Sequence, residues 1–199
     1  MHIFCSDLEG VFVPEVWINV AKKTGIEELK LTTRDISDYD VLMTHRLKII
    51  EERKLTLKDI QEVIASIEPL DGAREFLDWL RTKMQVIVVS DTFREFADPL
   101  MAQLNRPTLL CHSLTVDDSG MIVDYNLRQK DPKRKVVQAM HSLEYGVVAM
   151  GDSYNDTTML KEADKGILFR PPQNVIDEFP QFPVVTRYQE VREIVEDYF

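Results

Sequence analysis

A chain of 199 residues, 44% hydrophobic and 29% charged, has the make-up of an ordinary globular protein, long enough for one good core and a smaller accessory unit. A formal charge of −10 at pH 7 argues against a general nucleic-acid or anionic-membrane surface, so an anionic small substrate would have to be drawn in by a local positive site or a metal. Two cysteines, no signal peptide and no apolar run approaching ~18 residues argue against a disulfide framework and a membrane span, and a reducing, cytoplasmic setting is expected.

The first strand is predicted at about residues 2–6, and it ends in Asp7-Leu8-Glu9-Gly10. Two acids one residue apart repel each other unless a cation or a shared proton relieves them. From Pro14 to about Pro69 the apolar spacing is helical: Val16, Trp17, Val20 and Ala21, then Leu42, Leu47, Ile49 and Ile50, then Leu57, Ile60, Val63 and Ile64. This predicts an all-helical insertion over 14–70, interrupting a core made of 1–13 and 71–199. The core resumes with a helix from Ala73 to about Lys83 and a buried strand over Gln85–Val89, which stops at Ser90-Asp91-Thr92 and leads into a helix to about Leu104. An antiparallel hairpin is expected within Ser113–Arg128, turning at Asp117-Asp118-Ser119-Gly120. Asp131-Pro132 reads as a cap followed by proline at the first helical position, opening a helix to roughly Leu143. A strand at Val147–Met150, an exit loop at Gly151–Asp156, a helix at Thr157–Ala163, short strands at Gly166–Phe169 and Pro183–Val185, and a helix at Glu190–Tyr198 complete the chain. The alternation predicts an α/β fold: a Rossmann-like, doubly wound, mostly parallel sheet with a small all-helical cap inserted after its first strand.

In such a sheet the strand C-termini share one crevice, which would gather Asp7, Glu9, Ser90, Asp152 and Asp156. Asp7 and Asp152 can supply the hard oxygen ligands that Mg²⁺ prefers. Ser90, read as opening a helix, would offer backbone amides to an anion, and Lys133 would add a fixed positive charge. Each residue has a plainer reading alone. Asp-x-Glu is a solvated turn, Ser90, Asp91 and Asp35 are local caps, Arg46 beside His45 is a surface cation, and Glu15 is a partner for a helix dipole. The four histidines lack metal-ligand spacing, so no zinc site is expected. Co-occurrence in order, on suitable elements, favours a phosphoryl-transfer site.

Asp7-x-Glu9-Gly10, the apolar strand ending at Ser90, Lys133 after the hairpin, and Gly151-Asp152-x-x-Asn155-Asp156 resemble the four motifs of the haloacid dehalogenase-like phosphatases. Within them, Thr33-Arg34-Asp35, Leu109-Leu110-Cys111-His112, Gln129-Lys130-Asp131-Pro132-Lys133-Arg134 and the run Gly151–Leu160 are similar to phosphoserine phosphatases, above all to the bifunctional group that also transfers the phosphoryl group to homoserine. The resemblance implies that Asp7 is the nucleophile and Glu9 the general acid and base. It implies that Ser90, with the adjoining Asp91, and Lys133 bind the phosphoryl group. Asp7, Asp152, Asp156 and the Glu9 position, through a backbone carbonyl, would hold Mg²⁺, with Asn155 ordering its waters or the substrate. In the cap, Glu15 would take the ammonium of O-phospho-L-serine and Arg46 its carboxylate, which an arginine can bind bidentately. Water or homoserine would be the acceptor, in serine and threonine metabolism, with no nucleic-acid or membrane partner; a homodimer is compatible with this reading. Two features depart from the family: Glu15 aligns only across a one-residue gap, and Glu9 stands where most members carry aspartate. A phosphatase for another small phosphomonoester and a catalytically dead binding module of the same fold are the alternatives.

Overall fold

The chain is described here by a computed structural model that covers residues 1–32, 35–36 and 38–198; Thr33 and Arg34 of the Thr33-Arg34-Asp35 motif lie outside the described residues. In chain order its elements are β1 (His2–Ser6), α1 (Val16–Thr24), a 3-10 turn (Glu27–Lys30), α2 (Tyr39–Arg53), α3 (Leu57–Ala65), α4 (Ala73–Lys83), β2 (Gln85–Phe93) and α5 (Arg94–Gln103). There follow β3 (Thr108–Val116), β4 (Ile122–Asn126), α6 (Pro132–Ser142), β5 (Gly146–Gly151), a 3-10 turn (Tyr154–Asp156), α7 (Thr157–Glu162), β6 (Lys165–Phe169), α8 (Gln173–Glu178), β7 (Val184–Val185) and α9 (Tyr188–Asp197).

One sheet runs β4-β3-β2-β1-β5-β6-β7, parallel except for β4, which pairs antiparallel with β3. The β-branched runs read as buried strands form its centre: Phe4 of β1 lies between Val86 of β2 and Val148 of β5. Because β1 is flanked by β2 on one side and β5 on the other, its C-terminal end is the point where the winding reverses, the place where open α/β sheets bind ligands. Alternate side chains enter different layers. Phe4 joins Phe76, Leu77 and Leu80 of α4, Phe96 and Leu100 of α5 and Val191 of α9 in one cluster. Ile3 and Cys5 join Val136 and Val137 of α6, Met159 and Leu160 of α7 and Val175 of α8 in the other. Truncating a fully buried ring such as Phe76 would cost about 3–5 kcal/mol.

The segment between β1 and α4 is helical, held by local signals. Asp38 caps α2 by accepting from the Val41 N–H, Thr56 and Asp59 form a capping box on α3, and Gly25, at φ 72°, ends α1. Its buried residues, among them Trp17, Met43, Ile50, Ile60 and Ile64, run into the same cluster as α4 and α5. The β3–β4 hairpin clasps it as well: the Leu57 N–H donates to the Gly120 carbonyl at 2.8 Å, and the Tyr125 hydroxyl to Asp40.

Three local expectations need correction. The strand ending at Val89 continues to Phe93, and α5 starts only at Arg94, so Ser90 opens no helix and offers no helix-terminal amides. Neither Ser90 nor Asp91 is a cap. Asp131 precedes α6 in a left-handed conformation, φ 51°, and makes no side-chain cap bond; its carboxylate instead accepts from Thr158 at 2.7 Å. The hairpin's first arm is longer than its alternation suggests, because Thr108–Leu110 already pair with β2 inside the main sheet. Among the described residues no helix is long and apolar enough to cross a membrane.

Both cysteines are free, Cys5 buried and Cys111 half-buried. Burial pushes the Cys5 thiol up to about 12 and, with the nearby Glu95, the Cys111 thiol up to about 11. Near pH 8 the thiolate of Cys111 would be only about one part in a thousand. Neither thiol is therefore expected to react quickly with an aromatic disulfide reagent in the folded protein, whereas both should react in urea. A fast-reacting equivalent in the native state would contradict this burial.

Candidate active site

At the centre of the sheet's C-terminal edge the ladder reaches one residue past β1, through the Asp7 N–H to the Met150 carbonyl at 2.9 Å. The Asp7 carboxylate is thereby fixed: the Leu8 N–H donates to Oδ1 at 2.8 Å, and Lys133 Nζ lies 3.0 Å from Oδ2. Lys133 comes from the first turn of α6 and is 2% exposed. Its ammonium also donates to Asp156 Oδ1 at 2.7 Å and stands 3.4 Å from Asp91 Oδ2. Asp156 uses its other oxygen to accept from the N–H groups of Asp152 and Ser153, folding the loop after β5 back over itself.

Asp7, Asp152 and Asp156 are all buried and each offers an oxygen within 4.8 Å of the others, a set of hard donors that suits a divalent cation. Two glycines make this convergence sterically possible. A Cβ on Gly10, which has φ +74°, would lie 2.5 Å from the Asp152 carboxyl carbon, and one on Gly151 would lie 2.3 Å from that of Asp156. Glu9 does not join the triad with its side chain. Its carboxylate accepts from the Val16 N–H at 2.8 Å, at the start of α1.

Ser90 and Asp91 reach the cleft because β2 bulges: between the pairs Val89↔Leu110 and Phe93↔His112, four steps on β2 match two on β3. Ser90 is 3% exposed, and its oxygen accepts from the Thr92 N–H at 3.2 Å. The Asp91 carboxylate is engaged within the protein. Oδ2 accepts from Asn155 Nδ2 at 2.7 Å and faces Lys133, and Oδ1 lies 3.5 Å from His112 Nε2. Burial pushes its pKa up, but Lys133, His112 and Asn155 outweigh that and hold it below the ordinary carboxylate range.

The helical segment between β1 and α4 contributes Glu15, Trp17, Tyr39 and Arg46 to the lining of the cleft. Arg46 is buried, 6% exposed, unlike a surface cation. Its guanidinium stacks 4.5 Å from the centre of the Trp17 ring, and Nη2 donates to the Leu31 carbonyl at 2.8 Å. Its Nε–H has no hydrogen-bond partner among the described residues. Burial lowers its pKa to about 10, with Tyr39, Glu9 and Glu15 acting in the opposite direction. Burial first, and then Glu15, push the Glu9 carboxyl up to about 7 against the Val16 N–H, Arg46 and Lys133.

The residues singled out in the sequence thus converge, Glu15 and Arg46 from the cap included. Tyr39 and His112 were not assigned a role. Tyr39 opens α2, donates its hydroxyl to the Asp91 carbonyl at 3.2 Å and packs edge-on to His112. His112 lies in the Leu109-Leu110-Cys111-His112 stretch that carries the resemblance, but its place beside Asp91 follows only from the pairing of β2 and β3, since the bulge is invisible in the apolar pattern.

Residues 7–164 match the family model described as haloacid dehalogenase-like hydrolase. Over 192 residues the chain is 64% identical to the phosphoserine phosphatase ThrH of Pseudomonas aeruginosa, covering 96% of this chain and 94% of that protein. It is 61% identical over 192 residues to a phosphoserine phosphatase of Pseudomonas syringae pv. tomato, covering 96% and 81%. A crystal structure of phosphoserine phosphatase in apo form shares the fold, with a TM-score of 0.78 at 22% identity and 98% coverage of both chains.

The carboxylates around Lys133 make a specific demand on stability. Burial first, then the charge of Asp156, push the Asp7 pKa well above its ordinary value; Lys133 opposes them, and Asp152 and Asp91 add to them. A carboxyl raised in this way favours the fold below its unfolded pKa and loses that benefit as pH rises through its folded value. Lys133→Met, which removes the one cation of the cluster among the described residues, should destabilise the metal-free protein by about 3–5 kcal/mol at neutral pH. In urea titrations with chelator, the gap to wild type should narrow as the pH is lowered from neutral, because the raised carboxyls then take up protons. A gap independent of pH would contradict this electrostatic account.

Proposed function

This chain belongs to the haloacid dehalogenase-like hydrolase family, and from that premise we propose that it is a Mg²⁺-dependent phosphoserine phosphatase that passes the phosphoryl group, through an aspartyl-phosphate, to water or to homoserine. The observation that carries the choice of substrate is Arg46, a buried guanidinium whose Nε–H has no partner among the described residues, set with Glu15 in the same cleft as Asp7 and Lys133. O-Phospho-L-serine has the matching groups: a phosphate for one end of the cleft, and a carboxylate and an ammonium for the other. Sugar and nucleotide phosphates lack that pair. The high identity to enzymes named phosphoserine phosphatase supports the same substrate.

The chemistry follows from the side chains. A carboxylate oxygen of Asp7 attacks phosphorus while the bond from phosphorus to the serine oxygen breaks, and the departing oxygen takes a proton from Glu9. With a pKa near 7, Glu9 is divided between its two forms at neutral pH, so it can donate in this step and accept in the next. It then removes the proton from water or from the homoserine hydroxyl as that oxygen attacks phosphorus and frees the Asp7 carboxylate. Lys133 and Ser90 hold the phosphoryl oxygens and stabilise charge where it builds up. Asp7, Asp152 and Asp156 would hold Mg²⁺, which neutralises phosphate charge when bound.

Phosphate release measured over a panel of monoesters tests the assignment. Phosphoserine with Mg²⁺ should be preferred, activity should vanish with chelator and return with Mg²⁺, and added homoserine should divert product into homoserine phosphate. Arg46→Lys should raise KM for phosphoserine roughly 10- to 100-fold, with a much smaller effect on p-nitrophenyl phosphate, because a lysine cannot reproduce the bidentate contact. Equal rates across the panel would overturn the substrate assignment.

A further inference from the structure

Beside the reacting groups lies a polar pair that the chemistry above does not use. His112, in β3, is 4% exposed, a costly place for an imidazole unless both nitrogens are partnered. The Arg128 N–H donates to its Nδ1 at 3.1 Å, so Nδ1 carries the lone pair and the ring proton sits on Nε2. That Nε2–H faces Asp91 Oδ1 at 3.5 Å. Asp91 is poised by the bulge in β2, and its other oxygen accepts from Asn155 Nδ2 at 2.7 Å and lies 3.4 Å from Lys133 Nζ. The backbone of Arg128 thus sets the tautomer of His112, His112 sets Asp91, and Asp91 sets two side chains of the cleft. The Tyr39 hydroxyl, bound to the Asp91 carbonyl at 3.2 Å, ties the cap to the same residue.

We infer that His112 and Asp91 form a positioning pair for the phosphoryl-transfer reaction, orienting the Asn155 amide and holding Lys133 on the cleft side of its carboxylate cluster, and that Asp91 does not itself bind substrate. This rests on the function proposed above and adds a role to it. Both Asp91 oxygens have partners inside the protein, Oδ2 with Asn155 and Lys133 and Oδ1 with His112 at 3.5 Å, and the pairing favours an anchoring role over contact with substrate. A further carboxylate so near a phosphoryl site would also repel a dianionic phosphate if it were turned toward it. Its contacts turn that charge to use as an anchor, as outer partners do for the groups that touch a substrate.

The two ring nitrogens of His112 allow a discriminating test. Gln places its amide nitrogen near the position of Nε2 and can keep the contact to Asp91; Asn reaches only the position of Nδ1 and can keep the contact to the Arg128 N–H. Steady-state rates with phosphoserine and with p-nitrophenyl phosphate should show kcat reduced about 10- to 100-fold in His112→Ala and His112→Asn, with most of it regained in His112→Gln. KM for phosphoserine should change little, since its head group is bound elsewhere. In an Asp91→Asn background the same His112 substitutions should have no further effect. Melting temperatures recorded in parallel separate folding from positioning. A purely structural histidine predicts the opposite order, with Asn at least as active as Gln and kcat following stability, and that result would overturn the inference. An active wild type with p-nitrophenyl phosphate but not phosphoserine would overturn the substrate assignment while leaving the ranking of His112 variants readable.

Discussion

One buried ammonium, Lys133, holds the C-terminal edge of the sheet together. It stands 3.0 Å from Asp7, 2.7 Å from Asp156 and 3.4 Å from Asp91, three carboxylates delivered by three different strand ends. Desolvating that many like charges would be prohibitive without a counter-charge at the centre, and a single cation leaves the cluster with an excess of negative charge. The excess is what makes the site receptive to a divalent cation at Asp7, Asp152 and Asp156.

The backbone meets this electrostatic demand in two ways. Gly10 and Gly151 lack the side chains that would collide with Asp152 and Asp156, so the two loops can press their carboxylates together. The bulge in β2 turns Ser90 and Asp91 toward the cleft at a place where regular pleating would send neighbours to opposite faces. Over this edge the cap lays Arg46 against Trp17, and the hairpin secures the cap through Gly120 and Tyr125. Asp7, Ser90, Lys133 and Asp152 on the one hand and Glu15 and Arg46 on the other are thus held by separate parts of the chain that meet at one cleft.

Much of this was legible in the sequence because strong local patterns agreed with the tertiary structure. The apolar runs at residues 2–6, 85–89 and 147–150 could hardly be anything but central strands, and parallel winding then brings Asp7, Ser90 and Asp152 to one edge. The helical spacing between Pro14 and Pro69 marked the inserted helices equally well. What escaped depends on pairing between distant segments. Ser90-Asp91-Thr92 has the composition of a helix cap, and only its partner strand β3 keeps it extended to Phe93. The short helix α8 has too short an apolar period to be read, and the partners of the Asp91 carboxylate, Asn155, Lys133 and His112, come from distant segments that no local pattern brings together. The contact of the Glu9 side chain with the Val16 N–H is a further pairing that local pattern does not show.

The central claim is that this electrostatic frame exists to present Asp7 as a nucleophile. The direct measurement is acid quenching of the enzyme during turnover of phosphoserine with Mg²⁺, followed by mass spectrometry of its peptides. The account predicts one phosphoryl group on Asp7, lost when homoserine or time is allowed before the quench, and neither adduct nor turnover in Asp7→Asn. Turnover that persists in Asp7→Asn, or a phosphoryl group carried on another residue, would contradict it.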